Sequence, residues 1–258
     1  MKISPLDRQD YEFLRQSAEL AEARGLPHFD HLKEPIGRWN YSRIANELAA
    51  AAGGGRLLDW GCGYGQMTYL LGRRGFAVTP FDVGAPGAAM PDVPLCRGLD
   101  VVRGEEPSVL PFAPHSFDAV LSCGVLEHVE EEHESGDEER SLEEIRRVLR
   151  PQGAFFLYYL PQRWSWQEAV TRVLKLGYSH PRRYSGAEIG ALLERTGYRI
   201  EKLRRANLFP RNISGAPPGV RAAYGRLGRA LIGADAALCR VPALNRVAGV
   251  LEIVARPR

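Results

Sequence analysis

The feature that most constrains the fold is a glycine-rich turn between an apolar run and a helix-like segment. Residues 57–71 read LLDWGCGYGQMTYLL, with glycine at positions 61, 63 and 65. Glycine weakens the elements on either side, because it has no side chain to pack and loses much conformational freedom on folding. It also adopts positive φ angles and lets another group approach the bare backbone. The turn therefore predicts a place where a ligand lies against the main chain.

Segments of strand length and helix length alternate along the chain after this point. Six segments have the composition of strands: 56–60, 76–83, 116–123, 153–160, 198–209 and 247–257. Helix-like segments span residues 67–74, 141–150 and 185–197. Strands that alternate with helices at this spacing indicate an α/β fold, with a mostly parallel sheet covered by helices on both faces.

Two helical regions accompany this alternating core. Ser4 before Pro5 is a typical helix start, since serine caps free N–H groups and proline suits the first turn. A second predicted helix ends at a run of three glycines, which makes residues 1–52 an N-terminal helical extension. Residues 211–246 form a helical insertion between the last two predicted strands. We find no repeat and no low-complexity linker, so residues 1–258 are interpreted as one domain.

The composition is typical of a soluble globular protein. Hydrophobic residues make up 45% of the chain and charged residues 25%. The first residues lack the apolar stretch of a secretory signal, and no apolar run approaches the roughly 18 residues of a membrane-spanning helix. The four cysteines have no C-x-x-C spacing, which argues against a zinc or redox clasp. We therefore expect a cytoplasmic protein with reduced thiols and no metal ion.

The spacing within the turn separates two kinds of ligand. In an open α/β sheet, ligands bind beyond the carboxyl ends of the strands, and the first strand-to-helix turn is the usual place. A dinucleotide fingerprint, G-x-G-x-x-G, needs glycine at position 66, where this chain has Gln66. Asp59 would also repel a pyrophosphate. The acid suits a ligand that bears an ammonium or another cationic centre.

The string LLDWGCGYGQ resembles the first motif of the class I S-adenosylmethionine-dependent methyltransferases, in which a strand precedes D/E-x-G-x-G-x-G. Residues 110–129, LPFAPHSFDAVLSCGVLEHV, and residues 145–161 resemble later segments of that family in the right order. One departure is Gln152, where members commonly have a glycine. The resemblance covers about residues 56–207 and the last strand. It implies a Rossmann-like, seven-stranded, mostly parallel sheet with an antiparallel last strand, and S-adenosylmethionine as the cofactor.

The same resemblance implies roles for three acids. Asp59 is expected near the methionine part of the cofactor, Asp82 at the ribose hydroxyls and Asp100 near the adenine amine. Cys123, at the end of a strand, is expected to line the crevice as a packing residue and not as a nucleophile. The full predicted cofactor-binding set is Asp59, Gly61, Cys62, Gly63, Gln66, Asp82, Val83, Asp100, Val101 and Cys123.

His128 is the candidate catalytic residue. Methyl transfer from an activated cofactor asks the protein mainly to position the acceptor and exclude water. A hydroxyl acceptor must also lose its proton, and a histidine is suited to take it. The alternative is that His128 only shapes the start of a helix. His180 is a second pocket candidate, whereas Tyr158 and Tyr159 are interpreted as core packing.

The predicted insertion has two interpretations. Val220, Tyr224, Leu227 and Leu231 are predicted to share one face of a helix whose other faces carry arginines. Such a helix can cover the active site as a lid, which we favour. It can also lie on an anionic membrane, which would make residues 218–232 a peripheral membrane contact.

These features favour transfer of a methyl group to a small molecule, preferably at oxygen. The VLEHV stretch is similar to that of quinone-biosynthesis and natural-product methyltransferases, which suggests a quinone, lipid, sugar or natural product as acceptor. No nucleic-acid module is recognisable, because the arginines are not interleaved with aromatics. Two alternatives are a cofactor-binding protein without catalysis and, less favoured because of Gln66, a nicotinamide-dependent oxidoreductase. The acceptor and the oligomeric state stay open.

Overall fold

Seven strands form one sheet in the computed structural model of the chain, which describes residues 4–26, 29–132, 136–175, 178–213 and 216–258. The strands are β1 Gly55–Trp60, β2 Phe76–Asp82, β3 Val102–Arg103, β4 Phe117–Cys123, β5 Leu149–Pro161, β6 Tyr198–Ala206 and β7 Val250–Pro257. Their order across the sheet is β3-β2-β1-β4-β5-β7-β6. The glycine turn follows β1, which lies between β2 and β4 in the sheet.

The strand directions confirm the expected fold class. β1 is parallel to β2 and β4, β3 is parallel to β2, and β5 is parallel to β4. The last strand, β7, is antiparallel to both β5 and β6. The β3 segment has two residues, which explains why only six strands could be located from composition. The carboxyl ends of the first four strands therefore meet at one edge of the sheet.

The described residues also contain ten α-helical segments. They are α1 Pro5–Ala23, α2 Asp30–Lys33, α3 Pro35–Ala52, α4 Gln66–Gly72, α5 Val129–Glu132, α6 Asp137–Val148, α7 Trp166–Leu174, α8 Gly186–Arg195, α9 Pro218–Leu238 and α10 Pro242–Asn245. Short 3₁₀ turns span Pro86–Ala89, Pro94–Cys96 and Leu126–His128. The predicted helix start is present, because the Ser4 side chain accepts from the Asp7 N–H and Asp7 accepts from the Ser4 N–H.

Two apolar clusters cover the two faces of the sheet. One joins α1, α3 and α4 to the sheet through buried residues such as Leu14, Ile44 and Leu70. The other joins α6 and α8 to the opposite face through residues such as Ile145 and Leu193. Each buried aliphatic side chain of this size contributes roughly 1.5–3 kcal/mol of transfer free energy. These clusters fix the strands whose carboxyl ends form the candidate site.

Helix α9 lies between β6 and β7, within the predicted insertion, of which residues 214 and 215 lie outside the described residues. The predicted apolar face of this helix is partly wrong. Tyr224 and Leu231 pack towards α3, but Val220 and Leu227 are more than half exposed. The surface that meets α3 is therefore rotated relative to the one that the apolar pattern predicts.

Two glycines explain this rotation. A Cβ atom at Gly225 would lie 2.9 Å from the Cγ of Pro35, and one at Gly228 would lie 3.4 Å from the backbone nitrogen of Ile36. The absence of side chains at both positions lets the backbones of α9 and α3 come close together. The glycines weaken an isolated helix, as the sequence suggests, but here they form its packing surface.

Helix α7 is an element that the sequence analysis did not predict. Its start has a recognisable signal, because Ser165 is followed three residues later by Glu168. The Glu168 N–H donates to the Ser165 Oγ at 3.3 Å. The helix begins directly after β5 and so lies near the carboxyl edge of the sheet.

Candidate functional site

The glycine turn closes over the carboxyl ends of β1 and β2. The N–H groups of Gly61 and Cys62 both donate to the carbonyl oxygen of Phe81, at 2.8 and 3.0 Å. These bonds tie the turn to the last residues of β2. As a result, the structure brings Asp59, Gly63 and Asp82 together at one edge of the sheet.

The three glycines have positive φ angles but serve different purposes. Gly61, at φ +74°, faces Val125, whose methyl carbons would lie 2.5 Å from a Cβ atom. Gly65, at φ +83°, faces Leu99 in the same way. Gly63, at φ +55°, has no described atom within 4 Å of the place where its Cβ would be. The space that a Cβ atom of Gly61 would need is therefore filled by Val125, and Gly63 is the open position. The prediction that Gly61 contacts the cofactor stays a prediction.

Asp82 is held beside this open position by two backbone donors. Its Oδ2 accepts from the Gly63 N–H at 2.8 Å, and its Oδ1 accepts from the Ala85 N–H at 2.6 Å. A carboxylate has about four acceptor sites, so each oxygen can accept a further hydrogen bond. The half-buried carboxylate is therefore oriented and able to bind a pair of hydroxyl groups.

Asp59 is a buried carboxyl group in the same region. It is 2% exposed, and its Oδ2 accepts from the Thr68 hydroxyl at 2.6 Å. Burial raises the pKa of Asp59 to about 6, and the nearby charge of Asp82 acts in the same direction. A cationic ligand close to Asp59 would offset this cost, which agrees with the kind of ligand predicted from the turn.

Other features of this edge also fit a polar ligand. The Ser122 hydroxyl, on β4, is buried and has no hydrogen-bond partner within the described part of the chain. Gln66 begins α4 with its Oε1 buried. The open face of Gly63, the spare acceptor sites of Asp82 and the buried charge of Asp59 together suit a nucleoside that carries hydroxyls and a cationic centre.

The predicted cofactor residues Val83, Asp100 and Val101 differ in where they lie in the structure. Val83 is half-buried and directly follows Asp82. Asp100 is exposed and, with Val101, precedes β3 instead of following it. The carboxyl end of β3 leads to Gly104, whose N–H donates to the Asp82 carbonyl oxygen. The predicted roles of Asp100 and Val101 gain no support from this placement and stay predictions.

Burial determines the protonation state of Cys62 and Cys123, the two cysteines among the predicted cofactor-binding residues. Cys62 is buried in the turn, and Cys123 is half-buried at the end of β4. Burial raises the pKa of both thiols well above their ordinary range. Both side chains are therefore neutral thiols near pH 7, which suits packing and not nucleophilic attack.

Three segments far apart in the sequence form a wall beside this edge, which we call the acceptor wall: Tyr41 of α3, Tyr159 of β5 and Arg211 of the insertion. The Arg211 Cζ lies 3.6 Å from the centre of the Tyr159 ring, a cation–π contact. The ring of Tyr41 meets that of Tyr159 edge-on, with centroids 5.4 Å apart. Sequence reasoning missed Tyr41 and Arg211, because no local motif links them to the turn.

Tyr159 reaches this position through an irregularity in β5. Its φ is +61°, in the left-handed region that bulky residues rarely adopt. The register between β5 and β7 shifts between Leu157 and Leu160, as at a β-bulge. Bulges re-aim side chains and occur often near active sites. Tyr159 is buried, as its interpretation as a core residue required, but it packs against Arg211 in the acceptor wall.

His128 ends the 3₁₀ turn after β4 and has two ionisable neighbours. Its Nε2 lies 4.0 Å from Oε1 of the buried Glu127, and its ring centroid lies 5.5 Å from that of His180. The Nδ1 of His180 lies 2.7 Å from Oε1 of Glu168. Burial raises the pKa of Glu168, but its hydrogen bond with His180 and the charge of that ring lower it overall. The four groups thus lie close together as an acid–base cluster.

This cluster can serve two kinds of chemistry. One ligand atom from each of Glu127, His128 and His180 lies within 4.8 Å of the others. Two imidazoles and a carboxylate are able to hold a divalent cation, and Glu168 would then orient His180. The same groups can pass a proton away from a substrate. The prediction that the chain uses no metal ion stays a prediction.

One comparison with known proteins finds a similarity over the segment that contains the turn. Residues 58–157 match a family model described as a methyltransferase domain. No curated protein matches the sequence significantly. The matched segment runs from β1 into β5 and so includes the glycine turn, Asp82 and His128.

Solved structures show the same fold at low identity. A 1,6-didemethyltoxoflavin N1-methyltransferase of Burkholderia thailandensis, bound to its substrate and S-adenosylhomocysteine, has 18% identity and a TM-score of 0.52, covering 100% of this chain and 92% of that one. A methyltransferase of Thermotoga maritima, a possible histamine N-methyltransferase, has 16% identity and a TM-score of 0.56, covering 95% and 99%. The cyclase SpnF has 21% identity and a TM-score of 0.50, covering 84% and 81%. The fold alone therefore does not fix the reaction.

Proposed function

We propose that this chain, a class I S-adenosylmethionine-dependent methyltransferase, methylates a small molecule at a hydroxyl oxygen. The cofactor supplies an activated methyl group on a sulfonium centre when it is bound. The residues at the carboxyl edge fit it: Asp82 would accept hydrogen bonds from the ribose hydroxyls. Gly63 would leave room for the ligand, and Asp59 would lie near its cationic part.

The acid–base cluster at His128 carries the preference for oxygen. A hydroxyl is a weak nucleophile until it loses its proton, whereas a neutral amine needs no base before it attacks. His128 is partly exposed, so an acceptor can reach it, and its ring neighbours His180 and the carboxylate of Glu127. His128 would take the proton of the hydroxyl, and the carboxylate of Glu127 would stabilise the positive charge that results on the imidazole.

The acceptor wall supports an acceptor that has a planar ring or an acidic hydroxyl group. Tyr41 and Tyr159 offer aromatic surface, and the guanidinium of Arg211 lies over one of these rings. A half-buried positive charge at this place would stabilise an oxyanion and so help a phenol-like hydroxyl to ionise. Aromatic side chains would also exclude water from the acceptor.

The test is a panel of phenols, catechols, sugars and amines, incubated with cofactor that carries a deuterated methyl group. Mass spectrometry should find label on a hydroxyl oxygen. In His128→Asn, kcat should fall about 100-fold or more, because a general base contributes that much. The affinity for S-adenosylhomocysteine should stay within about twofold. His115→Asn, a histidine that contacts the Leu149 carbonyl away from the cluster, is the matched control.

The pH profile gives a second readout. Without its base, His128→Asn should act only on the fraction of acceptor that is already ionised. Its rate should then rise about tenfold per pH unit up to the pKa of the acceptor hydroxyl. Label found on nitrogen alone, or an unchanged kcat in His128→Asn, would contradict methylation at oxygen with His128 as base.

A further inference from the structure

Helix α7 exposes its apolar side to solvent. Val173 is 74% exposed and Leu174 61%, and Val170 is exposed on the same side one turn earlier. None of the residues of α7 is buried. A surface helix of a globular protein normally turns its apolar stripe towards the core. In α7 the stripe faces outward, so it is available to contact another surface.

Two polar side chains of α7, Gln167 and Glu168, face the protein instead. The Gln167 Nε2 donates to the carbonyl oxygen of Asn207 at 2.6 Å. Glu168 accepts from the Ser179 hydroxyl at 3.0 Å and contacts His180. These contacts fix the rotation of the helix about its axis. The hydrogen bonds therefore hold the apolar stripe of α7 in its outward orientation.

The apolar surface extends beyond α7. Trp164, just before the helix, is 66% exposed. The Trp166 N–H donates to the Val247 carbonyl oxygen at 3.1 Å, which places the segment around α10 beside the start of α7. We call the combined surface the α7–α10 face; its exposed apolar residues are Trp164, Trp166, Val170, Val173, Leu174, Tyr178, Val241, Leu244 and Val247. An exposed group of nine large apolar side chains indicates an interaction site.

The charges around the α7–α10 face are mostly positive. Residues 163–175 and 240–247 contain five lysines and arginines but one acid, Glu168. That acid is turned towards His180. The basic residues are Arg163, Arg172, Lys175, Arg240 and Arg246, all exposed. Among them Arg163 forms an ion pair, with Glu188. The apolar surface therefore has a positive rim.

We propose that the α7–α10 face docks on the surface of an anionic lipid bilayer. Tryptophan and tyrosine favour the boundary between headgroups and acyl chains, and basic side chains at the rim would bind anionic headgroups. A second copy of the chain fits less well, because a symmetric contact would bring the same positive rims together. Among the described helices, none is long and apolar enough to cross a membrane.

This surface differs from the one predicted from the sequence. The predicted contact, residues 218–232, includes Tyr224 and Leu231, which pack towards α3. Its remaining exposed large apolar residues are Val220 and Leu227. The docking surface thus moves from α9 to α7 and α10.

Docking at this place would also define the acceptor more narrowly. The inner side of α7 contacts His180 through Glu168, and the His180 ring lies beside that of His128. A docked enzyme would therefore hold its acid–base cluster close to the bilayer. The acceptor would then be an amphiphile that brings a hydroxyl group to the membrane surface. This last step rests on the proposed function, whereas docking does not.

The test is flotation of the full chain with two kinds of vesicle, one of phosphatidylcholine alone and one with about a third phosphatidylglycerol. The protein should float with the anionic vesicles, and about 0.5 M salt should release much of it by screening. The variant Trp164→Gln/Val173→Gln/Leu174→Gln should bind at least about 30-fold more weakly, since it removes three exposed apolar side chains. Val220→Gln/Leu227→Gln on α9, with similar exposure, is the matched control and should bind like the wild type.

Three results would overturn the proposal. The protein could fail to float with anionic vesicles. The α9 variant could lose as much binding as the α7 variant. Light scattering could instead find a dimer that only the α7 variant dissociates, which would make a second copy the occupant. Calorimetry with S-adenosylhomocysteine on the same samples separates this test from the proposed function, because the α7 variant should bind that ligand normally whether or not docking occurs.

Discussion

The glycine turn and the acceptor wall occupy the same edge of the sheet but are built in different ways. The turn is made by backbone groups close in sequence: Gly61, Cys62 and Gly63 are held by Phe81 and Asp82. The acceptor wall is made by side chains from three segments far apart in the sequence, with Arg211 stacked on Tyr159 in a bulge. In the proposed function, backbone geometry would hold the cofactor and side chains would bind the acceptor.

This difference separates two kinds of constraint. A change in the turn alters the path of the backbone, so we expect it to act on folding and on cofactor binding together. A change in the acceptor wall alters one side chain on a fixed frame, so we expect it to act on the acceptor alone. Four substitutions test this separation, in order of decreasing expected effect.

Gly61→Ala should destabilise the fold by about 3 kcal/mol. The new methyl group would lie 2.5 Å from the Val125 methyl carbons, on a backbone with φ +74°. Gly63→Ala, where nothing lies within 4 Å, should cost about 1 kcal/mol while weakening S-adenosylhomocysteine binding. Urea denaturation and calorimetry measure the two effects. Gly61→Ala/Val125→Ala should recover part of the loss, and equal destabilisation by both single changes would refute the division between the glycines.

Asp82→Ala should weaken S-adenosylhomocysteine binding about 100-fold. The change removes a carboxylate that two backbone N–H groups hold ready for hydroxyl donors, and such charge-assisted bonds are strong. Titration calorimetry gives the dissociation constant. Asp100→Ala, an exposed acid placed before β3, should change it less than about threefold. A similar loss in both variants would restore the role of Asp100 that the family resemblance implies.

Asp59→Asn should change the free energy of unfolding of the free protein differently at two pH values. The change should be more stabilising at pH 7 than at pH 4.5, by about 2 kcal/mol. The folded pKa of Asp59 is about 6, above its ordinary value, so the folded state binds this proton more tightly. The stability from Asp59 is present at low pH and is lost as the pH rises through about 6. Urea denaturation at the two pH values measures this. Asp118→Asn is the control, since a backbone hydrogen bond from Arg56 and the ion pair with Arg150 lower the pKa of Asp118.

Arg211→Met should raise KM for the acceptor about tenfold and leave S-adenosylhomocysteine binding within about twofold. The change keeps a long side chain over Tyr159 but removes its charge. Steady-state kinetics with a phenolic acceptor measures KM, and Arg211→Lys should restore part of the affinity. If Arg211→Met weakened S-adenosylhomocysteine binding as much as KM, the acceptor wall would belong to the cofactor site and the separation would fail.

Local signals predicted the turn and most of the sheet. The glycine spacing with Asp59 indicated a ligand turn, and the apolar segments located six strands. The seven-stranded, mostly parallel sheet with an antiparallel last strand followed from the family resemblance and is confirmed. The two-residue strand β3 could not be found, because its length is below that of any periodic pattern.

Contacts between distant segments account for what the sequence did not predict. The rotation of α9 depends on Gly225 meeting Pro35, and apolar periodicity carries no information about that partner. The stripe of α7 breaks the rule that apolar faces turn inward, so a pattern that assumes this rule would place it wrongly. The wall contact between Tyr159 and Arg211 depends on a bulge, which composition does not mark.

The position of β7 has a consequence for how the molecule comes into being on the ribosome. Of the seven described strands this one is synthesised last, yet it lies between β5 and β6 and pairs with both. A growing chain can close its glycine turn once β1 and β2 have emerged. It cannot seat the insertion that carries Arg211 on a finished sheet until synthesis reaches β7. Chains that have not yet reached β7 would thus hold a closed glycine turn before the acceptor wall is in place.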